Sequence, residues 1–323
     1  MSFISVLFAL LLEQAKPLAR GNPIHAAMRA WVRWCTQNFD AGRPFHGWLA
    51  WGLAVGAPAL LALAIYWLLG TYVGWWLAVV WSALVLYAAL GFRQFSSHFT
   101  QIRDALASDD DARAAQLLAN WQQIEVSDMP RSVILVRVIE FSVLAAHRHV
   151  FGVLAWFSVL AAFGLGPTGA VLYRLAEFVV RYWQHKSNAH FQPVSPALQH
   201  NARRLWMLMD WLPARATAIG FAVMGNFEEA IDGWRRYGVR ADANNDGLVL
   251  AATAGAVNIA LSGLGSLPER DATGSHAFNP EAVDVGRSLP ELQHLAVVVG
   301  LVWRTVVMWI VLLALLTLAR LLG

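Results

Sequence analysis

The chain has 323 residues, 58% of them apolar and only 14% charged, against roughly 25% charged in soluble domains. With 16 Trp, 16 Phe and a mean hydropathy of +0.48 it has too little polar surface to coat a water-soluble globule, and too much apolar surface to stay disordered. The single cysteine, Cys35, excludes an internal disulfide scaffold and cysteine-cluster metal sites, and the net charge of +3 reads as basic loops on one side of a membrane rather than as nucleic-acid binding.

A helix needs about 20 mostly apolar residues to cross the hydrocarbon. The first apolar run, Phe3 to Leu12, is too short for that. Glu13 follows it and no basic residue precedes it, so it does not read as a cleavable signal and is expected to dip into the bilayer or dock on other helices. His46 to Leu69 and Tyr72 to Phe92 are expected spans joined by a Gly-Thr turn. Phe99 to Gln123 is the most soluble stretch, inside a helical loop over 94–132. There Asp109-Asp110-Asp111 predicts a helix start, with acids at the positive helix end. Phe151 to Leu165 and Gly169 to Trp183 read as two further spans joined by Gly166-Pro167-Thr168, and His294 to Leu318 as a fifth. Leu205 to Met224, with Asp210, Pro213 and Arg215, and Leu248 to Leu264, with Asn258, are expected to be buried in protein or only partly in lipid. The expected fold is all-α: one polytopic membrane domain over 1–323. Lys16, Arg20, Arg29, Arg33 and Arg43 before the first span, Arg93, Arg103, Arg113 and Arg131 after the second, and Arg181, Lys186, Arg203 and Arg204 after the fourth place the N-terminus and these loops on the cytoplasmic side.

Several polar features carry more than one reading. Gly164 to Gly169 spells G-x-G-x-x-G, but it lies between two helix-length segments and reads as a tight turn, not a dinucleotide loop. His147-Arg148-His149 reads as an interfacial cap before a span, with phosphate or metal binding as the rival. The remaining histidines, among them His25, His46, His185, His190 and His200, lack ligand spacing. Trp75, Trp76, Trp81, Trp156, Trp183, Trp206 and Trp211 are expected as interface anchors. Charges within apolar runs usually face a bundle interior or a wet cavity. Arg174 and Arg215 read equally as ligand contacts or as members of internal pairs, such as Arg174 with Glu177 at i, i+3; Arg304 reads as structural. Asp210 precedes Pro213, where the helix is expected to kink or end. Asn244-Asn245-Asp246-Gly247 reads as a capped helix start, with an anion cradle as the rival, and Ala251 to Ala256 forms a small-residue face for close packing. Glu228 to Arg236 reads as a solvated helix on the membrane surface.

Asp210-Trp211-Leu212-Pro213-Ala214-Arg215 resembles the N-Y-I/L-P-A-R signature of the CobD/CbiB family of cobalamin-synthesis membrane proteins. Pro167 to Arg174 is similar to that family's P-G-A-L-A-Y-R/K, with one extra residue. Ala243 to Gly263 resembles its S-P-N-A-G-W-P-E-A-x-x-A-G-A-L-G block, matching at Asn245, Gly247, Ala251, Ala254, Gly255, Ala256 and Gly263. Glu13, the Asp-rich loop, the Asp-Trp spelling before Pro213 and Gly225 to Trp234 resemble the AmpE-like branch. The resemblance implies ligand-binding candidates at Tyr173, Arg174, Asp210, Arg215, Asn245 and Gly247. It also implies an amide-forming activity that joins adenosylcobyric acid to aminopropanol or its phosphate with Mg2+ and ATP. The pattern departs at family polar positions. Ala243, Asn244, Leu248 and Leu250 stand for Ser, Pro, Trp and Glu. Glu177 and Val180 stand for Asn and Asp. Trp206 and Met207 stand for paired Asp, and after Glu140 the second acid, the Asn and the Asp of E-S-x-x-E-N-x-x-D fall on Leu144, Ala145 and Arg148. Mg2+ favours carboxylates and phosphates, so these losses lead to an inner-membrane sensor or scaffold, non-catalytic or altered, as the first reading and the synthase as the alternative. No catalytic residue or protein metal ligand is assigned. The expected partners are the bilayer, a cobyric-acid-like or other anionic ligand, and a further copy in a homo-oligomer; nucleic acid is not expected.

Overall fold

Long apolar runs with few Gly or Pro interruptions have one low-energy solution in lipid, the helix, because it satisfies its own backbone groups. The computed structural model describes residues 2–15, 23–122, 130–188, 194–240, 243–261 and 287–322. Among these every regular element is helical: α1 (Ser2–Ala15), α2 (Pro23–Phe39), α3 (Pro44–Leu68), α4 (Trp75–Ala89), α5 (Phe92–Ala107), α6 (Asp111–Gln122), α7 (Arg131–Ala146), α8 (Gly152–Ala162), α9 (Thr168–Asn188), α10 (Pro196–Met224), α11 (Phe227–Gly238), α12 (Asn245–Val257) and α13 (Leu292–Leu322). One isolated parallel bridge joins Ile259 to Ser288. Lys16, Arg20, His190 and Gly263 lie outside the described residues.

Among the described residues, three helices are long and apolar enough to cross a bilayer: Phe45–Val73, Arg131–Ala162 and Leu292–Ala319. At 1.5 Å per residue each exceeds the hydrocarbon thickness of about 30 Å. The expected span Tyr72 to Phe92 is the 15-residue α4, because Gly74, at φ +137°, starts the helix late. Phe151 to Leu165 is not a separate span. A π-helical turn, His147–Phe151, joins α7 to α8 as one continuous helix. Gly169 to Trp183 lies in α9, which carries Arg174, Glu177 and Arg181 along an otherwise apolar segment.

The chain packs as two compact units. The first comprises Met1–Phe92, Arg148–Pro213 and Ile310–Gly323; the second comprises Arg93–His147 and Ala214–Trp309. In the first, α1 docks on α4, with the Ser5 hydroxyl donating to the Val79 carbonyl at 3.3 Å. The core between α2, α3 and α9 holds Val32, Cys35, Val55, Leu175, Val179 and Trp183. Burial pushes the Cys35 thiol up to about 11, so it is protonated at neutral pH. N-ethylmaleimide at pH 8 is therefore expected to label Cys35 only after unfolding, and rapid labelling of the folded protein would contradict this packing.

Among the described residues, two prolines lie inside helices, Pro58 in α3 and Pro213 in α10. A proline at i deprives the carbonyl at i−4 of its N–H partner. In both helices an indole replaces it. Trp31 Nε1 donates to the Ala54 carbonyl at 3.2 Å, and Trp156 Nε1 donates to the Met209 carbonyl at 2.8 Å. This is why α10 runs through Pro213 instead of ending there. The tryptophans expected as interface anchors therefore divide. Trp75, Trp76 and Trp211 are exposed, whereas Trp156 caps a carbonyl and the fully buried Trp183 donates to Thr36 at 2.8 Å. Trp156→Phe keeps the ring and removes the donor. A stability loss of about 1–3 kcal/mol is expected, read as a lower unfolding midpoint in detergent.

In the second unit, the Asp-rich run is a helix junction. α6 starts at Asp111, as expected, and Asp110 Oδ1 caps it by accepting from the Arg113 N–H at 3.0 Å. Arg131 ties the junction together, donating to Asp109 at 2.7 Å, to Asp111 at 3.2 Å and to the Leu106 carbonyl at 2.7 Å. α11 and α12 pack at backbone contact across small residues. A Cβ on Gly255 would lie 2.1 Å from the Glu229 carbonyl oxygen, and one on Gly233 would lie 2.6 Å from that of Ala251. Gly247 through Ala256 are buried, and Asn258, in the left-handed region, ends α12.

Candidate functional site

The π-helical turn supplies the geometry. An extra residue in a helical turn re-aims the side chains around it, and such turns concentrate at functional sites. Here the run is divided: His147 is fully buried and its Nδ1 lies 2.9 Å from the Thr217 hydroxyl, while Arg148 and His149 belong to the first unit. The run is therefore not an interfacial cap. It sits near the middle of the continuous helix Arg131–Ala162. His149 lies within electrostatic reach of Arg148, Arg174, Glu177 and Arg181, and its ring rests on Gly91, whose Cβ position is 3.7 Å away.

α9 presents the facing groups. Arg174, Glu177 and Arg181 are spaced i, i+3 and i+7, which puts all three on one helix face. Arg174 Nη1 donates to Glu177 Oε2 at 2.7 Å, the pairing expected from spacing, and Arg181 Nε closes on Glu177 Oε1. The carboxylate is 5% exposed, the Arg174 side chain 13% and that of Arg181 44%, so the cluster opens toward Arg181. His25, at the start of α2, lies near Arg174 and Arg29. Burial first, then these two guanidinium groups, hold its imidazole below the usual value, so it is neutral at pH 7.

Tyr173 and Asp210 adjoin this cluster. Both are fully buried, and the tyrosine hydroxyl donates to Asp210 Oδ1 at 2.7 Å. The Tyr173 ring stands 5.1 Å from that of Trp206 and lies against Gly152, where a Cβ would be 2.1 Å from Cζ. One hydrogen bond thus joins the Pro167–Arg174 turn-and-helix to the Asp210–Arg215 block, 37 residues apart.

The six candidates fall into two groups. Tyr173, Arg174 and Asp210 come together in the first unit; Arg215, Asn245 and Gly247 belong to the second. Asn245 is the first residue of α12. Asn244 caps that helix, its side-chain oxygen accepting from the Gly247 N–H at 2.7 Å, so this N–H is used internally and the capped-start reading describes it. No motif links Arg148 or His149 to Arg174; for Arg181 the signal in the sequence is the i, i+3, i+7 spacing on α9. Gly152 had no sequence signal at all.

The described residues do not fit a protein-held Mg2+. They contain no group of three His, Cys, Asp or Glu side chains able to hold a metal. Both Glu177 oxygens face guanidinium groups, and Asp210 Oδ1 is taken by Tyr173.

Residues 6–290 match the family model described as CobD/Cbib protein. The chain is 32% identical over 319 residues, 96% of each chain, to the cobalamin biosynthesis protein CobD of Stutzerimonas stutzeri. It is 30% identical over 220 residues, 66% of each chain, to that of Chromobacterium violaceum, and 26% identical over 196 residues, 59% of each chain, to that of Leptospira interrogans serovar copenhageni. No solved structure matches it. These relatives fit the synthase alternative better than the non-catalytic sensor or scaffold. A match over nearly the whole length, on an all-helical chain with three bilayer-length apolar helices, makes this a helical membrane protein that belongs to the CobD/CbiB family.

Proposed function

We propose that the protein is a cobalamin-pathway synthase of the bacterial inner membrane, forming the amide between adenosylcobyric acid and aminopropanol or its phosphate. The observation that carries this reading is the Tyr173–Asp210 hydrogen bond. It brings together the two blocks, Pro167–Arg174 and Asp210–Arg215, on which the family likeness is most specific, and it does so beside Arg148 and Glu177. Amide formation joins a carboxyl to an amine, and the protein's contribution is to hold both in reacting geometry. Arginines suit that task for anionic substrates because their planar forks grip carboxylates and phosphates in two places. Purified protein given adenosylcobyric acid, aminopropanol phosphate, ATP and Mg2+ is expected to yield the amide product by mass spectrometry. Absence of product from folded protein would end the synthase reading.

The proposed orientation places the N-terminus and the α5–α6 segment in the cytoplasm, following the basic residues Arg103, Arg113 and Arg131. A green fluorescent protein inserted between Asp109 and Trp121 is expected to fluoresce, and an alkaline phosphatase inserted there to stay inactive. The reverse pattern would invert every loop.

A further inference from the structure

We propose that the Arg148–Arg174–Arg181 cluster is a phosphate monoester site in which the protein's own Glu177 acts as a displaceable stand-in for the ligand. The proposal rests on the synthase reading only for the identity of the ligand; the site itself stands on its geometry. Two guanidinium groups hold one carboxylate and a third lies nearby. Arg174 and Arg181 each take one oxygen of Glu177, and Arg148 lies within electrostatic reach of it. Guanidinium groups that converge on the two oxygens of a carboxylate already outline a spot the size of an oxyanion. The second nearby carboxylate, Asp210, is held by Tyr173. Three positive groups against these two negative ones leave the cluster positive, with His25 as a neutral neighbour able to donate a hydrogen bond. A phosphate monoester, with close to two negative charges at neutral pH, matches that surplus better than a carboxylate does. The exposure gradient gives it a route. Arg181 is the half-exposed mouth, Arg174 the inner wall, and Glu177 the buried end that must turn aside as the anion arrives. A charge in the middle of a long apolar helix is costly to keep unless it serves a ligand or a relay, and the half-buried Arg148 occupies such a position.

The stand-in role has a consequence that a purely structural ion pair lacks: neutralising Glu177 strengthens binding. The test uses the full-length protein in detergent micelles in a phosphate-free buffer, titrated calorimetrically with inorganic phosphate, with aminopropanol phosphate and with acetate. Both phosphates are expected to bind and acetate to bind at least about tenfold more weakly. Glu177→Gln is expected to tighten phosphate binding by about tenfold, because the competing charge is gone while an acceptor oxygen for Arg174 remains. Arg174→Gln and Arg181→Gln are expected to weaken it by about the same factor. Arg181 is half-exposed, so its variant folds and decides the matter even where Glu177→Gln does not. Repeating the titration in nanodiscs with and without phosphatidic acid separates two sources of the same chemistry. Phosphate binding blocked by that lipid identifies a headgroup as the occupant; binding unaffected by it identifies a soluble monoester. Phosphate affinity unchanged in Arg181→Gln, or unchanged or weaker in a folded Glu177→Gln, overturns the proposal. Binding that shifts as expected without any amide product leaves the site standing and ends the synthase reading. Amide product with none of these shifts does the opposite.

Discussion

Gly152→Ala is expected to lower the unfolding midpoint sharply and to abolish activity with it. Its Cβ would sit 2.1 Å from Cζ and 2.2 Å from the hydroxyl oxygen of Tyr173, a ring that is fully buried and cannot swing into solvent. Relief requires moving either the ring or α8. The first breaks the bond to Asp210, and the second opens the packing of α8 on α9. That packing is equally tight at Gly169, where a Cβ would lie 2.1 Å from the Trp156 carbonyl oxygen. Overpacking of this severity costs about 3 kcal/mol. Gly56→Ala in α3, where a Cβ meets nothing within 4 Å, is the matched control and is expected to be neutral or slightly stabilising. Denaturation of both variants in the same detergent checks the account, and equal midpoints would contradict it.

Tyr173→Phe is the second large effect, and it acts on chemistry more than on packing. The ring stays in its slot and Asp210 loses the hydroxyl that donates to Oδ1. Removing a hydrogen bond to a buried charged group costs about 1.5–3 kcal/mol. Because that bond joins the two family blocks, synthase activity is expected to fall by about ten- to a hundredfold, that energy at 1.4 kcal/mol per tenfold. Asp210→Asn keeps a carbonyl oxygen for the same donor and restores the residue of the family signature, so it is expected to retain activity. Loss in Tyr173→Phe with retention in Asp210→Asn assigns the role to the hydrogen bond. The opposite pattern would assign it to the carboxylate charge.

What the sequence made legible follows the range of the forces involved. Helix class, the α6 start at Asp111, the Asn244 cap and the Arg174–Glu177 pair depend on residues within four positions of one another, and composition and spacing report them directly. The continuous Arg131–Ala162 helix was hidden because His147, Arg148 and His149 look like a polar boundary in one dimension. They are tolerated mid-helix only because other segments supply their partners, Thr217 for His147 and the α9 charges for His149. The passage of α10 through Pro213 was hidden for a similar reason. Local rules end a helix there, and the indole that rescues the Met209 carbonyl comes from Trp156, 53 residues away. Of the site, the family blocks marked Tyr173, Arg174 and Asp210. That Tyr173 and Asp210 touch is a fact of packing, set by Gly152 and by the turn through Gly164 and Gly166, both at positive φ.

Growth of a bacterium that lacks its own cobalamin synthase, supplied with cobyric acid under conditions where cobalamin is essential, tests the central claim most directly. Expression of this chain is expected to restore growth, Asp210→Asn to restore it as well, and Tyr173→Phe to fail although the protein reaches the membrane in equal amount. No growth with the wild-type chain present and folded in the membrane would contradict the assignment.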